Sequence, residues 1–326
     1  MNAVDHNNVV IFDDRGIPSI MCRFVRPKDT EEVPAVFKIG DKVADAIYIS
    51  KYPNIVIDGR AYSMPMEDPT VNITFDGAVQ ACRCKGLGWH LMTAVEYEYL
   101  LNQSREKGTM PHGNTDWGKD YYHNDEQGKV SNLGRTYTGT GPVTWNHDHT
   151  PYGVSDLNGN VWEWLAGLRI KDGVIEFIPD NKAASPYCDL SKDSAEWQQA
   201  ETSKGPVRAN VECGEITITD AVAADDYEPD YDGVRIEKLE VELSEIPQVL
   251  KDLGIIPDKR AEEDGKTYVY FDATEGEYMP FRGSAFDRTS DSGPSALNLN
   301  NPRSNSSDNI GFRSAFYEVN GKLITE

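Results

Sequence analysis

The 326-residue sequence predicts an α+β fold in which two helices pack on small antiparallel sheets joined by much irregular chain. Three observations point there. Ile47, Ile49, Ile55 and Ile57 alternate with other residues, the pattern of half-buried strands. Thr93-Ala94-Val95-Glu96 reads as a capping box, with the Thr93 hydroxyl taking the third helical N–H and Glu96 reaching back. The tract from 105 to 155 is rich in Gly, Asn, His, Asp and Tyr and keeps no period of either kind. A tract of that length inside a compact domain is usually functional or wrapped around something.

Taken in order, residues 1–45 hold short apolar runs such as Val9-Val10-Ile11-Phe12, broken by Asp13-Asp14, Pro18 and Pro27. They predict strands and turns packed as an extension on a main domain spanning 46–326. A first helix begins near Asp76, turns Ala78, Ala81 and Cys82 inward, and stops at Gly86-Leu87-Gly88. The second follows Thr93 with Val95, Tyr99 and Leu100 at helical spacing. The sharp sequence GVSDLNGNVWEW occupies 153–164.

Between about 171 and 276 the character changes to that of an insertion. Its segment 221–249 carries Asp225, Asp226, Glu228, Asp230, Asp232, Glu237, Glu240, Glu242 and Glu245 against Arg235 and Lys238, a solvated acidic face, with a short helix around Ile246 to Leu253. The tail returns to strand character. Leu297 and Leu299 alternate with Asn298 and Asn300, and Ile310, Phe312, Ser314 and Phe316 share one face of a final strand.

Composition excludes several function classes. Hydrophobic residues at 39% and charged residues at 26% fit a folded domain. Thirty-two basic against 54 acidic side chains leave a net charge of −22, which repels a phosphate backbone, and no Lys/Arg cluster offsets it locally, so nucleic acid is not the expected partner. The first residues lack the basic start and apolar run of a signal peptide, and no stretch nears the roughly 18 apolar residues that span a bilayer, so membrane insertion is not expected. Five irregularly spaced cysteines (Cys22, Cys82, Cys84, Cys188, Cys213) predict ordinary thiols made in a reducing cytoplasm. There is no G-x-S-x-G elbow and no Gly-rich phosphate loop.

The run GVSDLNGNVWEW, followed downstream by FRGS at 281–284 and IGFRSA at 310–315, resembles the formylglycine-generating-enzyme branch of the C-type-lectin-like fold. LGWHLMTAVEYEYLL resembles that branch's helix, with Met92 in place of a Pro and Tyr97 in place of a Trp. These pieces span about 70–317. Within the branch, SALNLNNPRSNSSDNIGFRSAF is similar to the variable region of proteins diversified by retroelements, which include phage tropism determinants. In these, adenines of template codons, chiefly Asn codons, are rewritten. From Gly283 to Asn309 there are seven Ser, five Asn and three Asp among 27 residues, a composition that a plain polar surface loop also has.

The resemblance implies a receptor-binding protein rather than an enzyme, carried on a phage tail or displayed on a surface and binding a protein or glycan on a host cell. Its variable region runs over about 283–313. Leu297, Leu299, Ile310 and Phe312 are the expected buried anchors. The expected ligand-reading positions are Ala285, Phe286, Asp287, Arg288, Ser290, Asp291, Ser295, Ala296, Asn298, Asn300, Arg303 and Asn305, with Phe286 and Arg288 as energetic anchors.

Enzymatic members of the branch oxidise a sulfatase cysteine using a metal-binding cysteine pair near the C-terminal GFR, and this chain has no Cys after Cys213. A second enzymatic route needs a three-His iron site; of the six His only His147 and His149 are close in sequence. No cofactor is therefore required, although the resemblance implies a structural calcium held by Asp156 and Glu163 side chains and the Gly159 and Val161 carbonyls. The alternative is that Asp156 and Asn158 cap a tight turn while Glu163 pairs with an internal Arg. Trp162 and Trp164 either stack on sugars or fill the core. A calcium-dependent lectin and a divergent oxidase are the two competing functions. The near-match to a lectin tripeptide, Glu228-Pro229-Asp230, falls in the acidic insertion.

Overall fold

A computed structural model describes residues 6–224, 227–257 and 260–323. Asp225 and Asp226 of the acidic run lie outside the described residues. The architecture is mostly β with few helices.

The first sheet ties the two ends of the chain together. His6–Phe12 pairs with Pro18–Val25, which pairs with Ala46–Ser50, which in turn pairs with Ser314–Val319 near the C-terminus. The N-terminal strands are therefore part of the main domain's own sheet. Val9-Val10-Ile11-Phe12 alternates as a hairpin strand does: Ile11 is buried and Val10 and Phe12 are exposed.

The helices form where the sequence places them. α1, Phe75–Arg83, starts one residue earlier than expected because the Thr74 hydroxyl accepts from the Gly77 N–H, and it buries Phe75, Ala78, Ala81 and Cys82. α2, Ala94–Lys107, has both capping-box bonds: Glu96 N donates to Thr93 Oγ1 at 3.2 Å, and Thr93 N donates to Glu96 Oε2 at 2.9 Å. Its buried face is Ala94, Tyr97, Leu100 and Leu101, so Val95 and Tyr99 are half-buried flanks rather than the centre of the stripe. α3, Gln248–Asp252, is the short helix of the insertion.

A second, larger sheet carries the tail. Its order runs from Tyr231–Arg235 through Tyr268–Asp272, Leu297–Asn301, Glu277–Arg282, Leu168–Lys171, Val174–Phe177, Arg208–Glu212 and Glu215–Thr219 to Glu240–Glu242. The inserted stretch is thus woven in on both sides of the tail strands. Tyr268–Asp272 pairs in parallel with Leu297–Asn301, Val269 opposite Leu297 and Phe271 opposite Leu299. The predicted final strand is two strands in two sheets: Ile310–Phe312 runs parallel to Trp162–Trp164, while Ser314–Val319 joins the terminal sheet. The break falls at Arg313, whose side chain is drawn into the space between them.

Leu297, Leu299, Ile310 and Phe312 are buried, as expected. Trp162 and Trp164 are buried too and pack against Phe281 at 5.1 and 5.0 Å between ring centres, which makes them core and removes them as sugar platforms.

Candidate functional site

Two arginines frame the tail. Arg282 donates to Glu98 Oε2 at 2.9 Å and to the Ser295 carbonyl at 3.2 Å, with its guanidinium 5.0 Å above the Tyr97 ring. Arg313 binds Glu163 through two bonds of 2.8 and 2.6 Å and donates to the carbonyls of Ser50, Lys51 and Ser155. Both arginines are fully buried, so these are pins. The intervening Gly283 holds φ +90°; a Cβ there would sit 2.6 Å from the Leu157 carbonyl oxygen and 2.9 Å from the Tyr97 hydroxyl.

The turn before Trp162 organises the irregular tract. Asn160, at φ +61°, accepts the Thr136 N–H and an Asn114 side-chain N–H on Oδ1 and donates to the Thr136 carbonyl, tying two distant loops together. Gly159 N donates to the Gly283 carbonyl at 2.6 Å, and Phe286 N to the Asn160 carbonyl at 3.3 Å. The stretch 285–291 is then clasped from the other side by main-chain bonds: Trp117 N to the Phe286 carbonyl and Thr289 N to the Thr115 carbonyl, both 2.8 Å.

On this support lies an aromatic rim. Trp117 is 58% exposed and meets Phe286 edge-on at 5.0 Å. Tyr121 and Tyr122 stand edge to face at 5.1 Å, both exposed, and the Tyr122 hydroxyl donates to the Ser290 carbonyl at 3.0 Å. Leu133 is also exposed. Sequence reasoning missed these residues; the signal was the long aperiodic tract in which all four fall.

The expected ligand-reading residues divide. Asp287, Arg288, Ser290 and Asp291 reach solvent, as does Asn300. Ala285, Phe286, Ser295, Ala296 and Asn298 do not, and the expectation that they are exposed is corrected. Ala285 and Ala296 lie in the core around Phe281, and Phe286 is the support on which Trp117 rests. The Ser295 hydroxyl is engaged by Arg105 and Asp264. Asn298 Oδ1 is filled by the Asn300 N–H and the Asn301 side chain. Arg303 is half-buried in ion pairs with Glu277 and Asp76, and Asn305 donates to the Asn301 side chain, so both are spent on the fold.

The residues named for calcium do not fit it. Both Glu163 oxygens face the Arg313 guanidinium, a resident cation, and Asp156 Oδ2 accepts the Gly139 N–H. Burial pushes the Asp156 carboxyl up to about 6. No group of three or more His, Cys, Asp or Glu among the described residues is placed to hold a metal ion. Nor do the cysteines fit a thiolate site beside the GFR: none lies in that segment, and burial pushes the Cys22 thiol up to about 12 and Cys188 to about 11. Three histidines that are not adjacent in sequence do gather beside the rim. His112 and His123 stack at 3.6 Å, and His149 meets His112 edge-on at 5.7 Å.

The profile of the sulfatase-modifying factor enzyme 1-like domain matches residues 54–317, which is most of the chain. The chain belongs to this family. The formylglycine-generating enzyme of Mus musculus is 36% identical over 105 residues, 30% of this chain and 27% of that protein, so the chain matches about a quarter of the length of this curated relative. The reading of the chain as a non-enzyme is corrected by these two matches, which place it in an enzyme-related family. Two solved structures overlap along nearly the whole chain: PvdO from Pseudomonas aeruginosa (14% identity, TM-score 0.39, 95% of this chain and 98% of that one) and the Major Tropism Determinant I1 variant (12%, 0.35, 97% and 56%). Overlaps at that level carry no functional information. No described helix of this family member is long and apolar enough to cross a membrane.

Proposed function

We propose that this family member is a ligand-binding protein on a C-type-lectin-like frame of the formylglycine-generating type, and that its recognition surface is the rim formed by Asp287, Arg288, Ser290 and Asp291 with Trp117, Tyr121 and Tyr122. The observation that carries the reading is Trp117, a large aromatic left 58% exposed yet fixed by Phe286 beneath it and a main-chain bond behind it. A pre-ordered aromatic ringed by short polar side chains recognises a surface at low ordering cost. Its ligand is a protein or glycan on a cell surface, and the chain is carried on a virion or displayed on a cell. Retroelement diversification of the rim codons belongs to the same proposal: the rim backbone is held by main-chain bonds, which do not depend on side-chain identity.

Fluorescently labelled protein, applied to a panel of intact bacterial strains and to a glycan array, tests the binding surface. Trp117→Ala is expected to abolish the wild-type signal with little change in melting temperature; an undiminished signal removes the rim from the proposal. A near-repeat of the codons for 283–313, differing only at adenines and lying beside a reverse transcriptase gene, tests the diversification; its absence ends that part.

The family match and the mouse relative favour a second reading, oxidation of a substrate cysteine. Turnover of a cysteine-containing sulfatase peptide by purified protein, with copper or iron retained, would establish it.

A further inference from the structure

Two cations of this acidic chain stand unpaired beside the rim. Arg235 ends the edge strand Tyr231–Arg235, and its guanidinium lies 5.7 Å from the centre of the Tyr268 ring on the neighbouring strand. Lys266 ends the short helix Glu262–Lys266, is exposed, and holds its ammonium 5.8 Å from the centre of the Tyr122 ring. Among the described residues neither side chain forms an ion pair or donates a hydrogen bond. A third cation, Arg288, has only a loose contact with Asp287 at 3.9 Å, while Asp291 accepts the Ser290 hydroxyl at 3.1 Å.

Other arginines at similar or greater depth are treated differently. Arg60 holds Asp13 and Asp14, Arg169 holds Glu176 and Glu277, and Arg303 holds Glu277 and Asp76. A chain with 54 acidic side chains has carboxylates to spare for Arg235, yet this half-buried guanidinium keeps its N–H donors free. Those donors face whatever the surface receives.

The rings beside the cations are fixed before any ligand arrives. Tyr268 and Tyr270 stack at 5.8 Å and 28°. Tyr270 lies across Gly233 of the paired strand, where a Cβ would come within 2.3 Å of the ring. The Tyr122 hydroxyl donates to the Ser290 carbonyl at 3.0 Å. The strand face is also continuous with the rim. Burial raises the Tyr122 hydroxyl above its usual range while the charge of Arg235 works against the rise, and Arg288 opposes burial in the same way at Tyr270.

We infer that the rim and this strand face together receive an acidic polysaccharide, with sugar rings packed against Tyr122 and Tyr268 and anionic groups on Arg235, Lys266 and Arg288. The inference rests on the rim as the recognition surface and names the class of ligand it reads. A guanidinium or ammonium with free donors takes a carboxylate or sulfate, and a tyrosine with an apolar body and a polar tip takes the face of a sugar. The cations are spread over a surface rather than gathered in one cavity, so the ligand carries its charges at intervals, each beside a ring. A polysaccharide repeats that alternation of ring and charge, and an acidic peptide does not. Nucleic acid repeats it at a higher charge density, which the net charge of −22 opposes. Screening over about 8 Å at physiological salt lets the local cations prevail on a sparsely charged polymer.

The test is isothermal titration calorimetry of the full chain with oligosaccharides in matched pairs, a galacturonate oligomer against its methyl ester and dextran sulfate against dextran. Polyglutamate and oligo-dT are the competing polyanions. Saturable binding of one acidic member is expected, about tenfold tighter than its neutral twin and weakened by added salt. Preference for the galacturonate identifies a carboxylated ligand, and preference for dextran sulfate a sulfated one. Arg235→Gln, Lys266→Gln and Tyr268→Leu should each weaken it about fivefold, whereas Lys42→Gln, which removes an exposed cation elsewhere, should leave it within about twofold. No saturable binding of either acidic oligosaccharide, equal binding of the neutral twins, tighter binding of polyglutamate or oligo-dT, or unchanged binding in either folded cation variant overturns the inference. If Trp117→Ala abolishes binding to cells while the wild type ignores both acidic oligosaccharides, the rim stands and this inference alone fails. If Trp117→Ala still binds cells, the rim itself fails.

Discussion

Arg282 and Arg313 are held through their side chains, whereas residues 287–291 between them, the stretch after the buried Phe286, are held through main-chain bonds. Each arginine is buried and spends its guanidinium on a carboxylate and on backbone carbonyls. The rim backbone is fixed by the Phe286 carbonyl and the Thr289 N–H, while its side chains make only loose contacts, such as Asp287 with Asn309 at 3.4 Å and Ser290 with Asp291 at 3.1 Å. A segment held by main-chain bonds keeps its path when its side chains change. A segment held by a buried ion pair does not, because removing one partner leaves the other charge unpaired.

The sharpest way to break this contrast is at Arg313. Arg313→Met leaves Glu163 buried and unpaired and should cost about 3–5 kcal/mol in urea unfolding. Adding Glu163→Leu should recover much of that. A single variant as stable as wild type would show that the frame is not held by this pair.

Asp156 gives the next effect, with the opposite sign. Its carboxyl is raised to about 6 in the folded protein from 3.8, so above pH 6 the fold bears the cost of a buried charge, and the cost disappears as pH falls below about 4. Asp156→Asn keeps an oxygen for the Gly139 N–H and should stabilise at pH 7.5 by at most about 3 kcal/mol. Thermal melts at pH 7.5 and pH 4 should show the gain shrinking toward zero; an equal gain at both values would contradict the assignment.

Thr93→Ala removes one half of the capping box and should cost about 1 kcal/mol without touching the rim. It calibrates an ordinary local loss by the same melts. Smallest of all, Asp287→Asn, Ser290→Asn and Asp291→Asn should each change stability by less than about 0.5 kcal/mol.

The frame was far more legible in the sequence than the rim. Local signals suffice for a capping box or for the alternation Leu297–Leu299, because each is decided within a few residues. They also suffice for Phe281 to Ser284 and Ile310 to Ala315, whose spacing repeats a known pattern. The exposure of the tail was misjudged because alternation along a strand identifies one inward face only when the other face is open. Here Tyr268–Asp272 of the inserted stretch pairs along one edge of Leu297–Asn301, Glu277–Arg282 pairs along the other, and Arg105 of α2 reaches Ser295, so that Asn298 and Ser295 are buried as well. The pairing of Glu163 was open from sequence, since its partner lies 150 residues away. Trp117 and the stacked histidines were invisible for the same reason: the contacts that place them are long-range, and the tract that carries them has no period to read.

The central claim, that the rim determines what is bound while the frame determines the fold, is tested most directly by changing Asp287, Arg288, Ser290 and Asp291 together. Melting temperature and binding to the bacterial panel would be measured on the same preparation. The account predicts a melting temperature within a few degrees of wild type together with a lost or altered strain spectrum. Loss of cooperative unfolding, or an unchanged spectrum, would contradict it.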